Sequence, residues 1–341
     1  MKSHVALALI IRLLGCNTGE HTKPKEQLDS ASISSSSERI EPLRIQDSLR
    51  LRYTPRSDTE LHCWLVQSEA FDQDSLHIRA RTEWFYTQVV DTLQSDGQII
   101  LNMHYDSIRL EQRYWQTDSS AVQTVRYNST HQPDRQDERF SLFTAALGKN
   151  IHVVLTPLGG IESITGTDEI VRTLLGARLD SLTKDQRHRI EQQFAAELYA
   201  PVLAQQFLLL PEKPLDSTRT WSLAIPQDIS PLFVAHATAV YRLDSLKRRG
   251  NDSLLLVSAS LGGTIRLAPA AENAGIILRK GTLRGRSDGE LSTRYALPVR
   301  RWNTIDYAIA AEVRKPGTSG ERLTQVRHSE STFRLRSLIV R

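Results

Sequence analysis

Few residue sets in this chain have the types and spacing to do chemistry. Asp185, His188 and Glu191 recur every third residue, a spacing that places possible metal ligands on adjoining faces of a helix. Lys184, Arg187 and Arg189 surround them. That is a repulsive field for a cation, so the stretch reads as an exposed helix surface and no metal ligand is assigned. His62, His104 and His152 lie on three separate strand-like runs and could act together only if folding gathered them. A nucleophile elbow needs Gly-x-Ser-x-Gly between a strand and a helix, and the chain has no such run. Gly159-Gly160 and Gly262-Gly263 lack the Lys and Ser/Thr of a phosphate-binding loop, so they read as turns or strand bulges. No catalytic residue and no cofactor is assigned, and the reading favours a non-enzymatic protein.

The most specific chemical signal is at the amino-terminal end. Lys2 supplies a positive charge, residues 5–11 form a short apolar run, and Leu13, Leu14, Gly15 and Cys16 follow. This order resembles the lipobox signal peptide of bacterial lipoproteins. The resemblance implies removal of residues 1–15 and lipidation of Cys16, whose thiol would form a thioether to diacylglycerol, with further acylation such as palmitate. The alternative is a short buried helix carrying an incidental cysteine. The apolar run is too short to span a bilayer, and no later stretch supplies about 18 consecutive apolar residues. The expected membrane contact is therefore lipid on Cys16. Two or more acyl chains, at about 0.8 kcal/mol per buried methylene, make such an anchor durable. Asn17 after the cysteine points, by resemblance to lipoprotein sorting, to the outer membrane of a bacterial cell envelope. Residues 16–42 read as the lipidated cysteine and a Ser-rich tether, too polar to bury surface that would offset ordering. As a flexible coil of roughly 25 residues it would hold the folded part about 25–30 Å from the bilayer.

The remaining positions must be carried by a folded body. The chain has 341 residues, 40% of them hydrophobic, and a formal net charge of +4. That suffices for a real core. Most arginines alternate with apolar residues, as at Ile108-Arg109-Leu110 and Phe333-Arg334-Leu335-Arg336, which is how the wet face of a half-buried sheet reads. No nucleic-acid partner is expected on this pattern. Lys247-Arg248-Arg249 precedes Gly250-Asn251 and reads as a solvated hairpin end. Only Cys16 and Cys63 are present, so a lipidated Cys16 leaves no disulfide. Cys63 shares a strand face with Leu61 and Leu65 and reads as a small buried hydrophobe.

Period-two runs predict strands over 49–53, 61–66, 76–90, 98–110, 221–225, 232–243, 253–267, 276–283, 290–297, 304–313 and 322–335. Asp96-Gly97, Asp288-Gly289 and Pro316-Gly317 predict hairpin turns. Residues 167–207 alone show sustained helical spacing. Thr167, Asp168 and Glu169 open a first short helix that Gly176 ends. Thr183 with Gln186 forms a capping-box pattern, Ile190, Phe194 and Leu198 make one apolar stripe, and Pro201 kinks or ends the run. The expected fold class is a β-rich α+β domain over 43–341. Long hairpins build one large curved antiparallel sheet or two related ones, in a first β half (43–166) and a second (208–341), with the helical insert (167–207) packed on one face. Residues 87–101 and 238–256 echo one another weakly, as a duplication or as convergent hairpin chemistry.

The segment 147–166 (LGKNIHVVLTPLGGIESITG), together with Leu210-Pro211-Glu212-Lys213-Pro214 and Trp221, resembles an uncharacterised domain-of-unknown-function family of bacterial secreted lipoproteins. The resemblance covers most of residues 43–337. It implies long β-hairpins flanking a short helical insert and brings no agreed activity or site residues. The leading expectation is a non-enzymatic envelope lipoprotein binding a lipid, another hydrophobic ligand or an envelope protein. A structural subunit of an envelope complex and an envelope-polymer hydrolase with a dispersed site are the alternatives. The apolar strand faces would make either a ligand groove or a filled core, and a filled core is preferred.

Overall fold

Alternating apolar and polar side chains from residue 59 onward produce strands of up to 20 residues, each with one buried face. The computed structural model describes residues 39–42, 48–119, 121–230, 232–271, 275–313 and 321–340. The expected lipobox at Leu13, Leu14, Gly15 and Cys16, most of the tether and the Pro316-Gly317 turn lie outside the described residues.

In chain order the strands are β1 (Arg39–Pro42), β2 (Thr59–Gln73), β3 (Leu76–Leu93), β4 (Ile99–Gln116), β5 (Gln123–Asn128), β6 (Ile151–Leu155), β7 (Ile161–Thr165), β8 (Thr220–Ser230), β9 (Phe233–Arg249), β10 (Asp252–Leu267), β11 (Ile276–Ser292), β12 (Leu297–Val313) and β13 (Glu321–Val340). They form one antiparallel sheet in the order β1-β9-β10-β11-β12-β13-β2-β3-β4-β6-β7, with β5 beside β4 and β8 beside β9. Its two ends are not hydrogen-bonded to each other among the described residues, so the sheet is open. Pairing of β13 with β2 joins the two halves of the chain at the middle of the sheet. Bulges in β3, β4, β9, β11, β12 and β13 add local twist and bend the long strands.

Among the described residues, five α-helices accompany the sheet: α1 (Gln132–Arg135), α2 (Ser141–Ala146), α3 (Asp168–Leu175), α4 (Lys184–Phe194) and α5 (Ala200–Gln206). The expected insert is α3 to α5. Gly176 ends α3 at φ 50°, and Thr183 and Gln186 make both bonds of the capping box on α4. Thr167 does not cap α3; its hydroxyl donates instead to the Glu191 carbonyl, tying α3 to the end of α4. Pro201 kinks the run without ending it. A π-helical turn, Ala195–Tyr199, precedes it, and α5 continues through the proline. Proline lacks the N–H that would extend the regular ladder, and a widened turn accommodates the loss.

Three expectations are corrected. Residues 49–53 form no strand; Leu49 makes a single bridge to Leu215 while Leu51 and Tyr53 are buried. Asp288-Gly289 is not a turn, and the runs 276–283 and 290–297 are not separate strands, because β11 passes straight through Asp288-Gly289. A Cβ on Gly289 would stand 2.7 Å from Leu208 Cδ1, so this glycine makes room for close packing. The chain turns later, through residues 293–296, where Ala296 takes φ 51°. Within the first β half, α1 and α2 lie outside the expected strands, and α2 puts Ala145 and Ala146 into the core.

The core has two parts. The larger lies between the inner face of the sheet and the helices, and includes Leu61, Cys63, Leu65, Tyr86, Leu101, Met103, Tyr105, Leu203 and Phe333. A smaller one continues the inner face over β8 to β12, around Phe233, Ala235, Ile265, Leu283 and Ile309.

Candidate functional site

The inner face is closed by polar bonds as well as packing. Helix α5 lies across β2, β7, β12 and β13. Its exposed last carbonyls would be costly to bury unpaired. Arg301, fully buried on β12, donates from Nη1 to the carbonyls of Ala204 and Phe207, each at 2.7 Å. Burial lowers the Arg301 pKa, against the pull of Tyr241 and Tyr53. Gln205 Oε1 accepts from Asn303 Nδ2 at 2.8 Å and from Ser331 Oγ at 2.6 Å. Tyr53 both donates to the Leu208 carbonyl and accepts from the Leu208 N–H, at 3.1 Å each. Beyond the helices, Arg327 donates to both Glu69 oxygens at 2.8 Å, and burial pushes Glu69 up and Arg327 down to about 10. This face is a packed apolar core tied by polar bonds, within which the Tyr199 hydroxyl has no hydrogen-bond partner among the described residues.

The outer face carries the polar chemistry. His62 on β2, Thr87 on β3 and His104 on β4 are aligned by strand register, so two of the three strand histidines flank the same threonine. The Thr87 hydroxyl donates to Asp106 Oδ2 at 3.0 Å, and His62 Nδ1 is 3.1 Å from the same hydroxyl. His62 Nε2 faces Glu60 at 3.2 Å, and His104 Nε2 faces Asp106 Oδ1 at 3.1 Å. The hydrogen bond to Asp106 raises the His104 pKa against the effect of burial. Burial by itself would raise the Asp106 carboxyl, but bonds from His104 and Thr87 outweigh it and hold it below the usual range. Carboxylate, imidazole and hydroxyl are thus adjacent, with the Thr87 hydroxyl within hydrogen-bond distance of both Asp106 and His62. His152 sits on β6 opposite Asn102, apart from this network.

Next to the network is a basic and aromatic surface. Trp64 and Phe85 face each other across β2 and β3 with ring centroids 6.3 Å apart and planes 24° from parallel. Arg334 lies 5.6 Å from the Trp64 centroid, and Arg336 and Arg109 each lie 5.6 Å from that of Phe85. Arg300 stands opposite Arg334 across β12 and β13. None of these four arginines makes an ion pair among the described residues. Glu83, opposite Arg109 in register, is held by Arg81 instead. The Trp64 indole N–H is buried beside these groups without a hydrogen-bond partner among the described residues.

The other residues singled out from sequence do not form sites. Asp185, His188 and Glu191 stay on an exposed helix; His188 bonds Gln192 at 2.9 Å and is 3.8 Å from Glu191. No group of three His, Cys, Asp or Glu side chains is placed to hold a metal ion among the described residues. Cys63 is buried, and desolvation pushes its thiol pKa up, which suits an inert packing role. Lys247-Arg248-Arg249 ends β9 at the hairpin with β10 and pairs with β1, where Arg248 meets Glu41 at 3.3 Å. Sequence reading missed Trp64, Phe85, Thr87 and Asp106 as a group. The period-two pattern marks each as outward-facing, but neighbours across strands depend on register.

A family model described as "Family of unknown function (DUF6263)" matches residues 96–292, more than half of the chain. No curated protein matches the chain. Among solved structures, one of lipovitellin concerned with lipid–protein interactions is similar with a TM-score of 0.45 and 10% identity, over 84% of this chain and 26% of that one. The chain thus spans about a quarter of lipovitellin. An outer membrane channel from Pseudomonas putida F1 is similar with a TM-score of 0.22 and 9% identity, over 86% of this chain and 99% of that one. No described helix is long and apolar enough to cross a membrane, which says nothing of strands.

Proposed function

We propose a function from this premise: the chain belongs to the family of unknown function DUF6263, and its outer face is the part built to recognise something. It is a non-enzymatic lipoprotein of a bacterial cell envelope, anchored through lipid on Cys16 after loss of residues 1–15, with residues 16–42 as tether. Its folded part docks an envelope protein that presents an acidic surface.

One observation carries the docking reading: Arg109, Arg334 and Arg336 crowd the Trp64–Phe85 pair without ion-pair partners among the described residues. Arginine and large aromatics are the side chains that most often anchor protein interfaces, and unneutralised guanidiniums favour an acidic partner. A carrier of hydrophobic ligands has less support, because the inner strand faces are taken up by a filled core under α5.

A photo-crosslinking residue in place of Ser337, exposed on β13 beside Arg336 and in register with His62, tests the docking reading in intact cells. A single reproducible envelope partner is expected, lost in an R334E/R336E variant that folds normally. No partner, or capture indifferent to the charge reversal, defeats it. Fractionation with lipid labelling of wild type beside Cys16→Ser tests the anchor separately. Acyl label and membrane association that disappear in the variant support it, and two unmodified soluble proteins refute it.

A further inference from the structure

A cavity of about 410 Å³ opens at the strand ends where β2 begins and β13 finishes, lined by Arg56, Thr59, Arg294, Tyr295, Leu338 and Val340. We propose that it binds the oxyanion head of a small amphiphile, the guanidiniums taking the phosphate-like group and the apolar side chains the first part of an alkyl chain. Three segments distant in sequence build it: the loop before β2, the turn between β11 and β12, and the end of β13.

Each segment is held in place. In the first, Asp58 at φ 61° donates its N–H to the Val90 carbonyl at 2.8 Å. In the second, Asp252 accepts from the Ser292 hydroxyl at 2.7 Å and from the Arg294 N–H at 3.3 Å, while Ser292 Oγ accepts from the Tyr295 N–H at 3.0 Å. In the third, Leu338 and Val340 are in register with Leu61 and Thr59 on β2. The turn that presents Arg294 is therefore pre-ordered, which lowers the entropic cost of binding.

Charge and shape then select the ligand. Arg294 lies 5.2 Å from the Tyr295 ring centroid, and neither Arg56 nor Arg294 makes an ion pair among the described residues. Asp58 lies two residues from Arg56, and Asp252, which accepts from the Arg294 N–H, is already occupied by the turn. Two guanidiniums on one small cavity repel each other until an anion lies between them, and their fork of donors matches phosphate or carboxylate oxygens. Leu338, Val340 and the Tyr295 ring add an apolar wall, in a volume within the usual range for small-molecule sites.

Isothermal titration of the full chain with inorganic phosphate and with hexyl phosphate separates a free oxyanion from an amphiphile head group. Hexyl phosphate should bind saturably at one site, more tightly than inorganic phosphate, with affinity falling at least about tenfold in R56Q/R294Q. Both arginines are exposed, so the double variant should fold, and circular dichroism checks that it does. Equal affinity for the two probes would overturn the apolar half of the proposal. Absence of saturable binding, or binding unchanged in R56Q/R294Q, would overturn all of it. The outer-face reading is independent, since the two places share no residue.

Discussion

Gln88 on β3 and Gln206 at the end of α5, 118 residues apart, exchange two amide hydrogen bonds of 3.0 and 2.8 Å inside the core. Tyr86 donates to the same Gln206 oxygen at 3.0 Å. Both glutamines are at most 1% exposed, so the pair is a polar clasp holding the helical insert on the sheet. A buried amide left without its partner loses its hydration and gains nothing in return. Gln206→Leu should therefore lower unfolding stability by about 2–3 kcal/mol. Gln88→Leu combined with it should recover part of the loss, since fewer donors stay orphaned. Urea denaturation of the single and double variants measures both, and additive losses would show that the two side chains do not act as a clasp.

Gly159, in the turn between β6 and β7, combines two demands that only glycine meets. Its φ is +85°, and a Cβ there would sit 2.5 Å from the Leu208 carbonyl oxygen and 2.7 Å from the Tyr53 ring. Both obstacles belong to the buried bond between Tyr53 and Leu208, so neither can move cheaply. Gly159→Ala should cost about 3 kcal/mol or more, read as a lowered denaturation midpoint. Alanine at Gly250, which also has positive φ but no neighbour within 4 Å, should cost about 1 kcal/mol from backbone strain alone.

The pairing of His104 with Asp106 makes part of the stability depend on pH. The raised His104 pKa contributes stability below its unfolded value, lost as pH rises through the folded one. The depressed Asp106 pKa contributes above its unfolded value, lost as pH falls through the folded one. The two windows overlap between about pH 4 and 6.5. Asp106→Asn should therefore destabilise most in that window and less on either side. Asp106 is 42% exposed, so solvent screening limits the effect to about 0.5 kcal/mol. Denaturation curves at about pH 3, 5.5 and 8.5 check this; a difference flat across pH would rule the coupling out.

The amino-acid order alone determined what depends on near neighbours. Strand character follows from period-two alternation, the break between the first two helices of the insert from Gly176 and the Thr183–Gln186 capping box, and the hairpin loop of residues 94–98 from Asp96-Gly97, where Gly97 takes φ 89°. Each is decided within a few residues, where backbone sterics and local hydrogen bonds act. Tertiary structure decided what depends on partners far away. Asp288-Gly289 has the composition of a turn, yet β11 runs straight through it, with Leu208 packed into the space where a Gly289 side chain would stand. Residues 49–53 look like a strand and become an edge of the core, because Leu215 offers them only one bridge. The wet-face pattern made Arg334 and Arg336 legible as surface residues, while their place over Trp64 and Phe85 depends on the pairing of β13 with β2, some 260 residues away. A side chain's direction is a local property of the pleat, but the residues it meets there are chosen by the register of the whole sheet.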